Sequence, residues 1–269
     1  MSLRPLGDHL ETLRTDSPLV HCITNYVAMN STANVLLAAG ASPAMLHAPE
    51  EVAEFTAISA ALSINIGTIS SHWADAMLTA VATADQHAIP WVLDPVAVGA
   101  THYRQSLCQQ LLAFNPCVIR GNPSEILALC GLDSRGRGVD STAHTDDAIA
   151  AAITLAQQQR CVVAMTGEQD IVTDGNNHYA IAGGHPLMPR VTTLGCGLSA
   201  LVAAFVAARV EAPLGATAAA LSCFAIAGQR AGSTATGPGS FQVALLDALY
   251  QLTPDDLTTH SQLETVDVF

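Results

Sequence analysis

The chain has 269 residues, half of them apolar and only 12% charged, which suits one sizeable core and argues against disorder. Its net charge is −13, and all ten basic residues are arginines; there is no lysine. A lysine-dependent P-loop and Schiff-base chemistry are thereby excluded, and an acidic surface disfavours nucleic acid, whose affinity rests on neutralising phosphates.

In chain order, an amphipathic opening helix closes over Leu10–Ser17, and a short apolar strand follows at Leu19–Ile23. Thr24 and Asn25 then cap a helix over Val27–Ala39 that stops at Gly40. Asn25 stands where a strand gives way to a helix, the edge at which open α/β sheets place ligands; a plain helix cap is the simpler account of the residue by itself. Ser42–Leu46 reads as a second strand, Glu50–Ser59 as a helix, and Ala61–Ile66 as a third strand ending in Gly67-Thr68. A helix over His72–Ala88 leads to strand four, Trp91–Asp94, which Pro95 ends because it has no N–H to donate. Asp94 at the carboxyl end of that strand suits a Mg²⁺ ligand, directly or through water, or else a cap of the next turn.

A helix over Tyr103–Phe114 precedes strand five, Cys117–Arg120, and then Gly121-Asn122-Pro123-Ser124-Glu125. An arginine ending a buried strand needs a partner for its charge, and a phosphate would supply one. Pro123 fits the first helical position and Glu125 the first turn, as a capping arrangement with Asn122 or as a carboxylate facing a metal-bound water. Ser134–Asp140 reads as a polar glycine-rich loop, and Thr145–Gln159 as a helix opened by Asp146 and Asp147. Strand six, Cys161–Met165, ends in Thr166-Gly167-Glu168. A hairpin then turns at Asp174-Gly175 between Ile171-Val172 and Tyr179–Ile181.

The stretch Arg190–Ala200 is expected to be a strand end, a tight glycine turn at Gly195-Cys196-Gly197 and the start of a helix running to Ala208. Small residues let a ligand approach bare amides, and the first helical turn offers free N–H donors with a positive dipole end. That arrangement cradles a phosphate with no cationic side chain. Cys196 sits at this helix start, where a thiol pKa is expected below its free value of roughly 8.5. A buried structural turn is the competing account. The match of Gly195-x-Gly197-x-x-Ala200 to a dinucleotide fingerprint is weak, since a helical run over Ala212–Gly232 stands where its second strand should be. Two further helices follow, then Gly237–Ser240 and a polar, mobile tail from Thr253.

Strands and helices alternating at this spacing predict an α/β fold, a three-layer α/β/α sandwich around a mostly parallel sheet, in a single domain over residues 1–269. The seven cysteines, at 22, 108, 117, 130, 161, 196 and 223, form no C-x-x-C pair and read as reduced, mostly buried thiols. No apolar run reaches the roughly eighteen residues of a membrane span. The opening residues lack a secretory pattern, so a cytoplasmic location with no membrane partner is expected.

Taken together, Cys22–Asn25, Gly40–Met45, Leu93–Gly99, Arg120–Glu125, Thr166–Glu168 and Gly195–Ala200 come in an order that resembles hydroxyethylthiazole kinase, of the ribokinase-like superfamily. The likeness runs from about Leu19 to Leu252. It implies phosphorylation of the hydroxyethyl group of 4-methyl-5-(2-hydroxyethyl)thiazole by Mg-ATP, a step of thiamine salvage, in a homotrimer with thiazole sites between subunits. It also implies roles: Asn25 and Met45 in the thiazole pocket with the Thr193–Gly195 turn, and Arg120 and Thr166 on ATP phosphates. Asp94 and Glu125 fall in the Mg²⁺ environment, and Cys196 with Gly195 beside the reacting hydroxyl, where sugar-kinase relatives carry an aspartate.

One departure stands out. The family turn reads Gly-x-Gly-Cys, whereas this chain has Thr193-Leu194-Gly195-Cys196. If that position needs a positive φ, threonine costs roughly 1–2 kcal/mol, and restoring glycine should raise turnover. Two other functions are alternatives: an ATP- or ADP-dependent dehydratase of hydrated nicotinamide cofactors with the same architecture, which fits the residues less well, and a non-catalytic thiazole- or nucleotide-binding protein whose cradle has decayed at Thr193.

Overall fold

The computed structural model describes residues 4–132 and 141–266. The Ser134–Asp140 stretch lies outside the described residues. In chain order the elements are α1 (Leu6–Asp16), β1 (Leu19–Ile23), α2 (Met29–Ala39), β2 (Ser42–Met45), α3 (Val52–Ala57), β3 (Ala61–Asn65) and α4 (Ser71–Gln86). They continue as β4 (Trp91–Asp94), α5 (His102–Leu112), β5 (Val118–Gly121), α6 (Pro123–Leu129), α7 (Ser141–Gln159) and β6 (Val162–Met165). The chain closes with β7 (Asp170–Thr173), β8 (His178–Ala182), α8 (Leu194–Ala208), α9 (Pro213–Thr234), α10 (Pro238–Gln251), α11 (Pro254–His260) and β9 (Gln262–Thr265).

The strands form one nine-stranded sheet in the order β2-β1-β3-β4-β5-β6-β7-β8-β9. The pairings from β2 across to β6 are parallel, and the three that add β7, β8 and β9 are antiparallel. Side chains alternate across each strand, so the inner strands feed two cores, whereas β2 and β9 at the edges bury little. Val20, Cys22, Val92, Val118 and Val162 face α1, α2 and α8–α11. Ile23, Leu62, Ile64, Leu93, Ile119 and Val163 face α3–α7. Strands buried on both faces read as continuous apolar runs, which is why their positions were legible from sequence. This is the three-layer α/β/α sandwich that the strand–helix alternation predicts.

The strand order reverses at β1 and β3, so the connections leaving them go to helices on opposite faces and leave a crevice beyond their carboxyl ends. Asn25 follows β1, Asn65 ends β3, and Asp94 ends β4 beside it in parallel register. The fold thus carries three polar side chains to one edge.

Several expectations need correction. No strand leads into the glycine turn; Met188–Arg190 is a single 3₁₀ turn, and α8 already begins at Leu194. The expected polar tail is ordered: Pro254–His260 is helical, and Gln262–Thr265 pairs antiparallel with β8. Thr253 caps that last helix from Asp256 N–H, and Asp256 also binds Arg230, so local charge and capping offset the low hydropathy. Helix α2 starts at Met29 rather than Val27, because Tyr26–Ala28 form a turn in which Ala28 N–H donates to Asn25 Oδ1 at 3.0 Å. Gly40 ends it in the left-handed region at φ 107°, as expected of a C-terminal glycine. Helix α7 begins at Ser141, one turn before the acidic pair that was expected to open it.

Candidate active site

The site forms where the carboxyl ends of β1, β3, β4, β5 and β6 meet the amino end of α8. Asn25 Nδ2 donates to Asn65 Oδ1 at 2.9 Å and to Cys196 Sγ at 3.2 Å. Asn65 Nδ2 in turn donates to Asp94 Oδ2 at 2.6 Å, and the Ser199 hydroxyl donates to the same oxygen at 2.9 Å. Both amide orientations are fixed by backbone donors: Gly67 N–H to Asn65 Oδ1 at 2.9 Å and Ala28 N–H to Asn25 Oδ1. A buried polar chain therefore runs from Cys196 through Asn25 and Asn65 to Asp94. Gly67 packs so closely on Asn25 that an added Cβ would lie 2.8 Å from its Nδ2.

Asp94 is buried, and its Oδ1 has no hydrogen-bond partner among the described residues. Burial raises its pKa to about 6, against the pull of Arg120 and with a smaller push from Glu125. An orphaned, desolvated carboxylate oxygen is suited to a divalent cation with oxygen ligands. Glu125 is differently employed. Its Oε1 accepts from Ala97 N–H at 2.9 Å and its Oε2 from Asn122 N–H at 2.8 Å, while Asn122 Oδ1 accepts from Glu125 N–H. The capping arrangement and the metal-facing carboxylate are thus not exclusive: the cap fixes a carboxylate within electrostatic reach of Asp94. No cluster of three or more His, Cys, Asp or Glu side chains occurs among the described residues, so a cation here would need oxygen ligands beyond those side chains.

Arg120, at the end of β5, donates from Nη2 to Thr166 Oγ1 at the end of β6. Its Nε is buried with no hydrogen-bond partner among the described residues. The guanidinium lies beneath the first turn of α8, for a Cβ built on Gly195 would fall 2.6 Å from Nη1. Gly195 is glycine because Arg120 occupies that space. A cavity of about 830 Å³ opens beside them, bounded by Arg120, Thr166, Gly167, Asp170, Gly195, Leu198 and Phe224 among others, which is room for a nucleotide. Asp170 holds its floor by accepting from Gly167 N–H at 3.0 Å.

The amide cradle is shifted from its expected place. Gly197 N–H donates to Thr193 C=O at 2.9 Å, closing the first helical bond. The open donors of the first turn are accordingly those of Leu194, Gly195 and Cys196. Thr193 precedes them with φ 72° and ψ −2°, so the position does require the left-handed backbone that the glycine-to-threonine departure puts under strain, a cost of about 1–2 kcal/mol. The Thr193 hydroxyl lies 2.5 Å from Ser31 Oγ.

Cys196 does not behave as its helix-start position suggests. Burial, and next the negative charge of Asp94, raise its thiol pKa, outweighing the Asn25 and Asn65 amides and Arg120. Burial wins because the cradle is walled by β-strand ends rather than water. The seven cysteines are all free, as expected. Met45 is half-buried at the end of β2, beside β1 in register with Cys22, and so borders the Asn25 end of the site. His21 holds the next residue, donating from Nε2 to Leu46 C=O at 3.0 Å.

Asn65, Ser199 and Ser31 were missed from sequence. A polar residue ending the apolar run Ala61–Ile66 was the available signal for Asn65, of the same kind as Asp94. Ser199 and Ser31 sit inside helices, where nothing local sets them apart.

The Hydroxyethylthiazole kinase family profile matches residues 10–255. A hydroxyethylthiazole kinase of Cereibacter sphaeroides is 57% identical over 258 residues, covering 96% of this chain and 98% of the relative. The solved hydroxyethylthiazole kinase protein of Pyrococcus horikoshii superposes with a TM-score of 0.90 at 40% identity, covering 97% of this chain and 99% of that one. A ribokinase-like superfamily protein of Enterococcus faecalis, 13% identical, matches with a TM-score of 0.64 over 92% of this chain and 95% of its own; it shares the fold alone. The glycine turn, Arg120 and the Asn25–Asp94 chain therefore sit in a ribokinase-like framework, and the chain belongs to the hydroxyethylthiazole kinase family.

Proposed function

We propose that this chain transfers the γ-phosphoryl group of ATP to the hydroxyl of 4-methyl-5-(2-hydroxyethyl)thiazole, as one compact catalytic domain located in the cytoplasm. The observation that carries the reading is the stacking of the Gly195 turn on Arg120, between the Asn25–Cys196 contact on one side and the large cavity on the other. Thiazole alcohol fits the Asn25 and Met45 side, and the triphosphate fits the cavity side. The reacting oxygens then meet over the α8 amides.

Phosphoryl transfer has a loose transition state, so alignment and charge stabilisation do most of the catalysis. The amides of Leu194, Gly195 and Cys196 donate to equatorial phosphoryl oxygens, and Arg120, steadied by Thr166, adds a fixed positive charge. Asp94 and Glu125 fit a Mg²⁺ ion through the orphaned Oδ1 and a water, and such an ion would neutralise phosphate charge. Cys196 Sγ holds the substrate hydroxyl in line. A thiol with a raised pKa is a poor ground-state base, but the alcohol proton becomes strongly acidic only as its oxygen bonds phosphorus. Positioning therefore dominates over basicity at Cys196.

Tyr26 and Val27, next to Asn25 in the chain, are 64% and 61% exposed. Exposed apolar side chains flanking a substrate pocket support a homotrimer whose thiazole sites lie between subunits. No helix among the described residues is long and apolar enough to cross a membrane.

The test is incubation of purified protein with Mg-ATP and the thiazole alcohol. Thiazole phosphate is expected; thiazole binding without product, or consumption of a hydrated nicotinamide cofactor instead, overturns the reading. Sedimentation checks the assembly, with a monomer at working concentration ruling out the trimer.

A further inference from the structure

Thr193 holds a left-handed backbone that glycine adopts freely and a β-branched residue does not. Something must hold it there, and the hydrogen bonds around it show what. Ser31, on the first turn of α2, donates from Oγ to Ala28 C=O at 3.1 Å. Giving the Ser31 proton to that carbonyl is the assignment in which both hydroxyl protons find an acceptor among the described residues. The Thr193 hydroxyl at 2.5 Å is then the donor, and Ser31 Oγ its acceptor. Ala28 N–H donates to Asn25 Oδ1, and Asn25 Nδ2 donates to Cys196 Sγ. The circuit closes, because Thr193 and Cys196 flank the same turn of α8.

From this circuit we infer that Ser31 is a positioning residue for the phosphate-binding turn. By accepting the Thr193 hydroxyl it supplies the conformational hold that makes threonine workable where the family turn has glycine. Serine at 31 and threonine at 193 act as one unit, and each loses its purpose without the other. The turn is thereby tied to the β1–α2 connection that carries Asn25, so the phosphate side and the thiazole side of the site share one rigid frame. The inference rests on the kinase reading only for its activity readout.

The test is a double-mutant cycle with two readouts, steady-state kinetics and thermal unfolding without ligands. Ser31→Ala is expected to lower kcat about five- to thirtyfold, with both KM values within about twofold, since it strands the Thr193 hydroxyl and loosens the amides. Thr193→Val, which keeps the branch and loses the hydroxyl, is expected to lose as much. Ser31→Thr, which retains an acceptor, recovers most of the rate. With Thr193 present Ser31→Ala is also expected to lower the melting temperature by about 2–4 °C; in a Thr193→Gly background the same change is expected to shift kcat by less than about twofold and leave the melting temperature where it is. Equal losses from Ser31→Ala in both backgrounds, or no loss of rate or melting temperature with Thr193 present, overturn the inference. If the wild-type protein forms no thiazole phosphate, the kinase reading fails, and the unfolding cycle alone decides the role of Ser31.

Discussion

The Asn25 amide reaches Cys196 Sγ at 3.2 Å across 171 residues of sequence, joining the first strand–helix connection to the first turn of α8. Because Ala28 N–H fixes the orientation of that amide, Cys196 receives a hydrogen bond and does not compete for one. Cys196→Ser places a shorter side chain under the same donor. It is expected to lower kcat about tenfold or more while leaving the ATP KM within about twofold. An equal loss of ATP affinity, read by calorimetry with a non-hydrolysable nucleotide, would mean that the thiol is structural.

Gly195→Ala tests the stacking on Arg120. The new Cβ would fall 2.6 Å from Nη1, so the guanidinium must move off the cavity floor. A loss of about 10²-fold in kcat is expected, comparable with removing one oxyanion donor. Arg120→Lys, which cannot fork onto a phosphate, is expected to raise the ATP KM by about tenfold. Wild-type kinetics in the Gly195 variant would move the phosphate away from this turn.

Asn65→Ala removes the bridge between Asn25 and Asp94. With Asp94 Oδ2 left to Ser199 alone and Asn25 Nδ2 left to Cys196 alone, thiazole KM and the Mg²⁺ requirement are both expected to rise, by roughly five- to tenfold each. A change in neither under a magnesium titration would show that the two halves of the site are set independently.

His21 is one of the buried groups that set how stability depends on acid. Burial lowers its pKa to about 4, against an ordinary 6.5, with only the Leu46 carbonyl opposing. The unfolded chain takes up this proton below about 6.5 and the folded chain does not until about 4, so His21 contributes stability above 6.5 that is lost as pH falls between those values. The loss is of order 3 kcal/mol at most. Asp94 and Asp170, both raised to about 6, act in the opposite sense, gaining stability as pH falls from about 6. The wild-type urea midpoint should therefore lose ground to that of His21→Gln as pH falls from 7 to 4, whatever the common trend set by the aspartates. Parallel slopes would show that the ring does not control the acid limb.

Thr193→Gly removes the backbone strain together with the hydroxyl that Ser31 holds. The strain of about 1–2 kcal/mol and a hydrogen bond of about 0.5–1.5 kcal/mol nearly offset each other. Turnover is therefore expected to rise by no more than about threefold, less than the departure from the family turn suggests by itself. A tenfold rise in kcat would show that the Ser31 contact contributes little.

The sequence determined the layers, because strands buried on both faces must be apolar throughout. Leu19–Ile23 and Trp91–Asp94 coincide with their predicted limits. It also marked Asn25, Asp94 and Arg120, since a polar or charged group at the end of an apolar strand needs a partner. Tertiary structure alone decided what those partners are. The thiol pKa at Cys196 is set by the depth of the crevice and the charge of Asp94, which come from different strands. Asn65, Ser199 and Ser31 lie within regular elements, and their roles follow only from which strands lie adjacent and how α2 meets α8. The reason is physical: periodicity and capping act over a few residues, whereas hydrogen bonds and desolvation act over a few ångströms, and only the folded sheet converts one scale into the other.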